Sequence, residues 1–208
     1  MYKVPLVVAD SIIPPPLTEF YESGTCDACT FDVDNAKEWA AAGGLTPGTK
    51  VSLAYNEDGG HKAAMEAVAA QLEENLDITV DLQPVAKFRD MIEKAVPPDA
   101  SGLFRFAYGA DYPTPMSFLF PLLASTSGDN LSGYANPAYD AQLDLASAAK
   151  DDESRKAPVA EAQRIALDDM ALVPLWYRTQ FRVWDSDKWT GVAADFFENP
   201  TLATIKAK

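Results

Sequence analysis

The sequence is short of nearly everything that catalysis draws on. It has one histidine, His61, and two cysteines, Cys26 and Cys29, in 208 residues. No Gly-x-Ser-x-Gly elbow is present to join His61 in a Ser-His-Asp set, and no Gly-rich phosphate loop follows a strand-like stretch. The carboxylate pairs Asp151-Asp152 and Asp168-Asp169 fall at helix ends, where such groups more often stabilise a helix dipole or a solvated face than move protons. An enzyme is not expected.

Basic residues are scarce too. The chain carries 17 Lys and Arg against 31 Asp and Glu, a formal charge of -14. No basic run interrupts that excess, so a nucleic-acid backbone or an anionic membrane surface would repel it. Nor does any stretch approach the ~20 apolar residues that span a bilayer. The start, Met1-Tyr-Lys-Val-Pro, lacks the charged region, apolar core and small-residue cleavage site of a signal peptide. Either the protein is cytoplasmic or its export signal lies upstream.

What is present is apolar mass: 48% of residues are hydrophobic, with aromatics spread along the chain, enough for one sizeable core or a core plus an appendage. Cys26 and Cys29 have C-x-x-C spacing, but a four-ligand zinc site needs two more soft ligands, and one histidine does not complete it. A redox motif of thioredoxin type would sit where a strand meets a helix, whereas this pair follows Pro14-Pro-Pro and a loop-like stretch. The preferred reading is a small local disulfide in an exported protein. No metal or other cofactor is expected.

The order of elements reads as α/β. Residues 1 to 30 form an extended, Pro-punctuated opening segment that contains the cysteine pair. Asp32 can cap a helix over Asp34 to Ala42, stopped by Gly43-Gly44. Val51, Leu53 and Tyr55 alternate with polar or small residues as in a half-buried strand. Met65, Val68, Leu72 and Leu76 then share one helical face. Ile78, Val80 and Leu82 form a second strand, ended by Pro84, and a short helix follows with Phe88, Met91 and Ile92 inward. After Pro97-Pro98 the apolar run Leu103 to Tyr108 makes a third strand, giving the pattern of an open α/β sheet. A loop over Gly109 to Pro115 and a polar stretch over Ser125 to Gly133 come next. Asn136-Pro137 then begins a helix carrying Tyr139, Leu143 and Ala146. A further helix runs to about Met170, starting late or kinking at Pro158. Leu172 to Tyr177 is a strand, and Phe181 to Trp184 and Leu202 to Ile205 are shorter candidates.

In an open α/β sheet, ligands sit beyond the carboxyl ends of the strands. Arg105, Gly109 and Asp111 lie within or just after the third strand, and His61 opens a helix after the first, so all four can reach one sheet edge. Asp111 alone would read as a turn-former before Tyr112-Pro113, and His61 alone as a helix N-terminal residue. Arg105 is different, because a guanidinium inside Leu-Phe-Arg-Phe-Ala-Tyr must reach an edge or find a partner.

Phe31-Asp-Val-Asp-Asn-Ala-Lys…Ala42-Gly-Gly, Ala54-Tyr-Asn…His61-Lys…Gln71-Leu, Tyr108-Gly-Ala-Asp-Tyr-Pro, Gly133-Tyr-Ala-Asn-Pro-Ala-Tyr-Asp and Ala162-Gln-Arg-Ile…Val173-Pro-Leu follow one another in order. Together they resemble the C-terminal portion of the family 5 solute-binding proteins, the peptide binders of ATP-binding-cassette importers, over residues 30 to 208. The resemblance implies one lobe of a two-lobed type II periplasmic-binding-protein fold, with a mixed open sheet flanked by helices. Residues 31–178 would form the ligand-binding lobe, and residues 179–208 would return to an N-terminal lobe absent from this chain. It implies a protein exported to the periplasm or lipid-anchored on the outer face of the membrane, with a peptide ligand and a membrane permease as partners.

The resemblance also assigns roles. Asp111 would grip the peptide ammonium, and Arg105 and His61 would serve its carboxylate end. The backbone of Ala107 and Gly109 would pair with the peptide as an added strand. Tyr108, Tyr112 and Asn130 complete the candidate site. The same fold can hold a nickel chelate, an oligosaccharide or an opine instead, and a peptide-sensing receptor is a further alternative. The charge pair Asp111 and Arg105 favours a zwitterion. Phe181, Trp184, Trp189, Phe196 and Phe197 are expected to leave an apolar patch, or to be covered by another copy.

The cysteines give a first test. Protein made under oxidising conditions should show no free thiol by titration, and free thiol at both positions would count against export as well as against the bond.

Overall fold

A computed structural model describes residues 6–95, 101–179, 182–195 and 199–208. Along the chain run β1 (Leu6–Val8), α1 (Val33–Ala42), β2 (Lys50–Asn56), α2 (Lys62–Leu76), β3 (Thr79–Val85), α3 (Phe88–Ala95), β4 (Leu103–Phe104), α4 (Met116–Leu123), α5 (Pro137–Ala148), α6 (Asp152–Asp168), β5 (Trp176–Arg178), β6 (Trp189–Thr190) and β7 (Lys206–Ala207). No described helix is long and apolar enough to cross a membrane.

The first core is built on a parallel three-stranded sheet in the order β3-β2-β4. Register pairs Val51 with Val80 and Leu53 with Leu103. Met65 and Ala69 of α2 are buried against Leu53, Tyr55, Ile78 and Val80, with Val68, Leu72 and Leu76 packed around them. Each fully buried side chain of this size contributes roughly 1.5–3 kcal/mol, which outweighs the weak helix tendency of the β-branched Val68. The expected half-buried strand differs from the observed one: Leu53, Ala54, Tyr55 and Asn56 are all buried in succession. As the middle strand of a parallel sheet, β2 is covered on both faces at its C-terminal end.

Two more expectations need correction here. Pro84 does not end β3, which continues to Val85. The strand is at an edge, so the missing N–H removes no ladder bond. Further back on the same strand, the Glu73 carboxylate of α2 accepts the Val80 N–H at 2.9 Å. The third strand is also far shorter than the apolar run: only Leu103 and Phe104 pair with β2. The Arg105 N–H still donates to Ala54 O at 2.8 Å, and beyond it the chain leaves the sheet.

The second core lies among helices. Leu119 and Leu123 of α4, Tyr139, Leu143 and Ala146 of α5, and Val159, Ala162, Ala166 and Leu167 of α6 bury one another together with Ile12, Ile13 and Cys26. Helix α4 was not expected, because Met116 to Leu123 is apolar almost throughout, contains Pro121 and shows no helical period. Helix α6 begins before Pro158 rather than at it. The Asp151 side chain accepts the Ser154 N–H in a capping box, and that start plus the buried face holds the first turns despite the roughly 3 kcal/mol a mid-helix proline costs.

The opening segment belongs to this core. β1 pairs antiparallel with β5, Leu6 opposite Arg178, and the chain then bends through Ser11 to Ile13. At the bend the buried Gln163 oxygen accepts three bonds, from Ser11 Oγ at 2.8 Å, Ile12 N at 3.1 Å and Ile13 N at 3.0 Å. The Tyr177 hydroxyl donates to Ser11 O at 2.8 Å. Next to it the Asp10 carboxylate accepts from Tyr21, Ser23 and Gly24, and Cys26 is bonded to Cys29.

At the C-terminal end, the strand expected over Leu172 to Tyr177 is confined to Trp176–Arg178. The described part of Phe181 to Trp184 is not a strand, and Leu202–Thr204 is a short 3₁₀ turn, followed by β7 paired with β6. Trp184 and Trp189 are 48% and 45% exposed. Phe181, Phe196 and Phe197 lie outside the described residues.

The Gln163 amide can be tested directly. Gln163→Leu keeps the volume but strands the Ile12 and Ile13 N–H groups inside the core, and each unsatisfied buried donor costs about 1–3 kcal/mol. Urea unfolding should show a loss of about 2–5 kcal/mol. A loss under about 0.5 kcal/mol, the level of an ordinary surface substitution, would mean the bend does not depend on this oxygen.

Candidate functional site

The expected site residues, Asn130 apart, line one strip from the C-terminal end of β2 to the start of α4. At its first end stands Arg105. Its backbone is held to the central strand, and its Nη1 donates to Asn56 Oδ1 at 3.3 Å. Asn56 is buried at the last position of β2. Its Nδ2 donates in turn to Asp58 Oδ1 at 2.5 Å, and Asp58 Oδ2 accepts the N–H of Phe88, the first residue of α3. The bond from Asn56, and then that from Phe88, hold the Asp58 carboxyl below its usual range.

His61 sits beside these groups, just ahead of α2. It is buried, and desolvation lowers its pKa below the ordinary imidazole value of 6.5. The positive charge of Arg105 lowers it further, Asp58 opposes the shift, and Arg178 of β5 adds a smaller push down. The ring lies so close over Gly59 that a β-carbon there would stand 2.1 Å from His61 Nε2. A larger residue at 59 would push the imidazole from this position.

From Arg105 the strip runs outward over a row of rings. Phe106 lies 5.7 Å from Phe88 and 6.4 Å from Tyr108, and Tyr108 is 6.2 Å from Phe118 of α4, centroid to centroid. Ala107 and Gly109, the alternate positions, are exposed. No backbone hydrogen bond is made by residues 106 to 110 among the described residues. At the far end, the Tyr108 hydroxyl donates to Asp111 Oδ2 at 3.2 Å. Desolvation, then this bond to a carboxylate, raise the Tyr108 pKa. The Asp111 N–H donates to the buried Ser117 Oγ at 2.8 Å, so its own carboxylate stays at the surface. Tyr112 is next to it and 46% exposed.

Asn130 is engaged differently. Its Nδ2 donates to Ala124 O and Tyr134 O, and its Oδ1 accepts from Ser132, so the amide ties its own loop together. The neighbouring Asp129 is near enough for its charge to act on Tyr108. The structure thus brings Arg105 and His61 together at one end of the strip and Asp111, Tyr108 and Tyr112 at the other. Sequence reasoning missed Asn56, Asp58, Ser117 and Arg178. Asn56 was visible as the polar end of an apolar strand, whereas nothing in the sequence marks Ser117. Among the described residues no group of three or more His, Cys, Asp or Glu could hold a metal ion.

Comparison with known proteins bears on this arrangement. Residues 1–130 match the family described as bacterial extracellular solute-binding proteins, family 5 Middle. The chain is 26% identical over 186 residues to the oligopeptide-binding protein OppA of Bacillus subtilis (strain 168), covering 86% of this chain and 34% of that protein. It is 31% identical over 150 residues to the periplasmic murein peptide-binding protein MppA of Escherichia coli (strain K12), covering 71% and 27%. The solved structure of the Escherichia coli murein tripeptide binding protein MppA aligns with a TM-score of 0.77 at 25% identity, over 98% of this chain and 40% of the other. The chain spans between 27% and 34% of the length of these two curated relatives, which are binding proteins rather than enzymes.

The lowered His61 pKa has a measurable sign. The unfolded chain takes up the imidazole proton first as pH falls through about 6.5, so this group removes stability below that pH and has no effect well above it. Denaturation at pH 7 and pH 5 should show the wild type losing ground relative to His61→Gln at the lower pH. A pH-independent difference would mean that burial does not disfavour the charged ring.

Proposed function

Because the chain belongs to the bacterial extracellular solute-binding proteins of family 5 and has the type II periplasmic-binding-protein fold, we propose that it captures oligopeptides outside the cytoplasm. The protein that carries it delivers them to the membrane permease of an ATP-binding-cassette importer, from the periplasm or from a lipid anchor on the outer membrane face. Residues 31–178, with the opening segment packed on their helical core, serve as the ligand-binding lobe, and residues 179–208 lead toward a second lobe that closes over the peptide.

One observation carries this reading: between the charges of Arg105 and Asp111, residues 106 to 110 make no backbone hydrogen bond among the described residues, and Ala107 and Gly109 are exposed. An extended peptide lying along it pairs with Ala107 and Gly109 as an added strand. Its ammonium meets Asp111, and its carboxylate meets Arg105 and His61. At ~3.3 Å per residue the strip is at most about 20 Å long, so the carboxylate's partner depends on peptide length. A neutral sugar would leave both charges unanswered.

Calorimetry on the full-length protein tests the assignment. Asp111→Asn retains an acceptor for the Tyr108 hydroxyl, so the loop stays in place, but it removes the charge opposite the ammonium. Truncating one partner of a buried charge pair costs about 2–5 kcal/mol, so peptide affinity should fall roughly 30-fold or more. Arg105→Ala and His61→Ala should act selectively on particular peptide lengths. Wild-type affinity in Asp111→Asn would make a non-peptide solute the better reading.

A further inference from the structure

We propose that Asn56 and Asp58 are positioning residues that aim the Arg105 guanidinium and thereby let the protein tell a free peptide carboxylate from a blocked one. The proposal rests on the peptide-capture reading above and adds two residues to it.

The argument turns on which groups can donate. Asp58 is ionised, so its carboxylate can only accept. One oxygen takes the Phe88 N–H at 3.2 Å and the other takes Asn56 Nδ2 at 2.5 Å. An amide that gives its NH₂ to Asp58 must turn its oxygen the opposite way, and there it meets Arg105 Nη1 at 3.3 Å. Arg105 itself has only donors, so the amide has one satisfactory orientation between the two groups. If Asp58 were neutral or absent, the amide could rotate and set its NH₂ against the guanidinium, donor facing donor.

Burial makes this choice consequential. Asn56 is 4% exposed, and a wrongly turned buried amide leaves polar atoms unsatisfied. The relay is also rooted in rigid structure at both ends. Asn56 is the last residue of the central strand, and Asp58 is fastened to the first N–H of α3, whose Phe88 ring packs on Phe106 beside Arg105. The bonds that orient the amide are the ones that keep Asp58 charged. A held guanidinium offers fixed N–H geometry to a carboxylate, whereas a wandering one loses rotamer entropy on every binding event.

The test uses full-length protein and calorimetry with two peptides of one sequence, one ending in a free carboxylate and one in an amide. The length is chosen so that Arg105→Ala weakens the free-acid form. Wild type should prefer the free acid. Asp58→Asn should weaken free-acid binding roughly 10-fold, the scale of a charge-assisted hydrogen bond, and leave the amidated peptide within about 2-fold, well under the 1.4 kcal/mol of a tenfold change. Asp58→Glu, which keeps an acceptor-only group, should restore part of the preference. Equal weakening of both peptides would show a merely structural role, and no weakening would show that Arg105 needs no relay; either overturns the proposal while peptide capture stands. Wild type that binds neither peptide would instead overturn peptide capture, and the relay as a selector with it.

Discussion

The architecture turns on how residues 105 to 111 are fastened. The stretch is tied at one end to β2 through the bond from Arg105 N to Ala54 O, and at the other to α4 through the bond from Asp111 N to Ser117 Oγ. The two ends belong to different hydrophobic cores, one around the parallel sheet and one among α4, α5 and α6. A segment strung between two cores cannot coil onto itself or complete a ladder. Its backbone from 106 to 110 is therefore left without main-chain bonds among the described residues, where the peptide is proposed to lie. The cores are joined elsewhere by β5, whose Trp176 packs on the sheet core while Tyr177 bonds the bend at Ser11 beside the helical core.

Much of this was legible where a local rule and the final packing agree. Helix α1 begins where Asp32 accepts the Asn35 N–H, and α5 where Asn136 accepts from Ala138, each beginning at a side chain recognisable by type. Helix α2 shows its buried face as a period. The failures come where tertiary packing decides. The run Leu103 to Tyr108 has every property of a strand, yet the pairing with β2 covers Leu103 and Phe104 and ends with the bond from Arg105 N to Ala54 O, because the chain must cross to α4. Helix α4 is apolar on nearly all sides, so no face stands out, and it contains a proline, Pro121.

The site divides in the same way. Arg105 was legible because a charge inside an apolar run demands a reason, and Asp111 because a recognisable motif surrounds it. Asn56 and Asp58 looked like ordinary residues of a strand end and turn. Their significance lies in which atom faces which, and a sequence does not encode that visibly. Asn130 is a different case: a polar residue in a suitable loop holds that loop's own carbonyls, a use its type and place did not announce.

The far edge of the sheet has a consequence of its own. In β3 the Val80 N–H points away from β2 into the Glu73 carboxylate, and Pro84, at a position of the same parity, has no N–H to offer. That margin is thus stripped of two of the donors by which a foreign strand would recognise it. On the proposed function the protein faces a hazard that most proteins do not, since any accessible sheet margin could take up the same peptides, or a neighbouring copy, in the wrong place. Here the sheet is sided: one margin lacks two main-chain donors because of a carboxylate and a proline, and the other runs on into residues 106 to 110, where the peptide is proposed to lie.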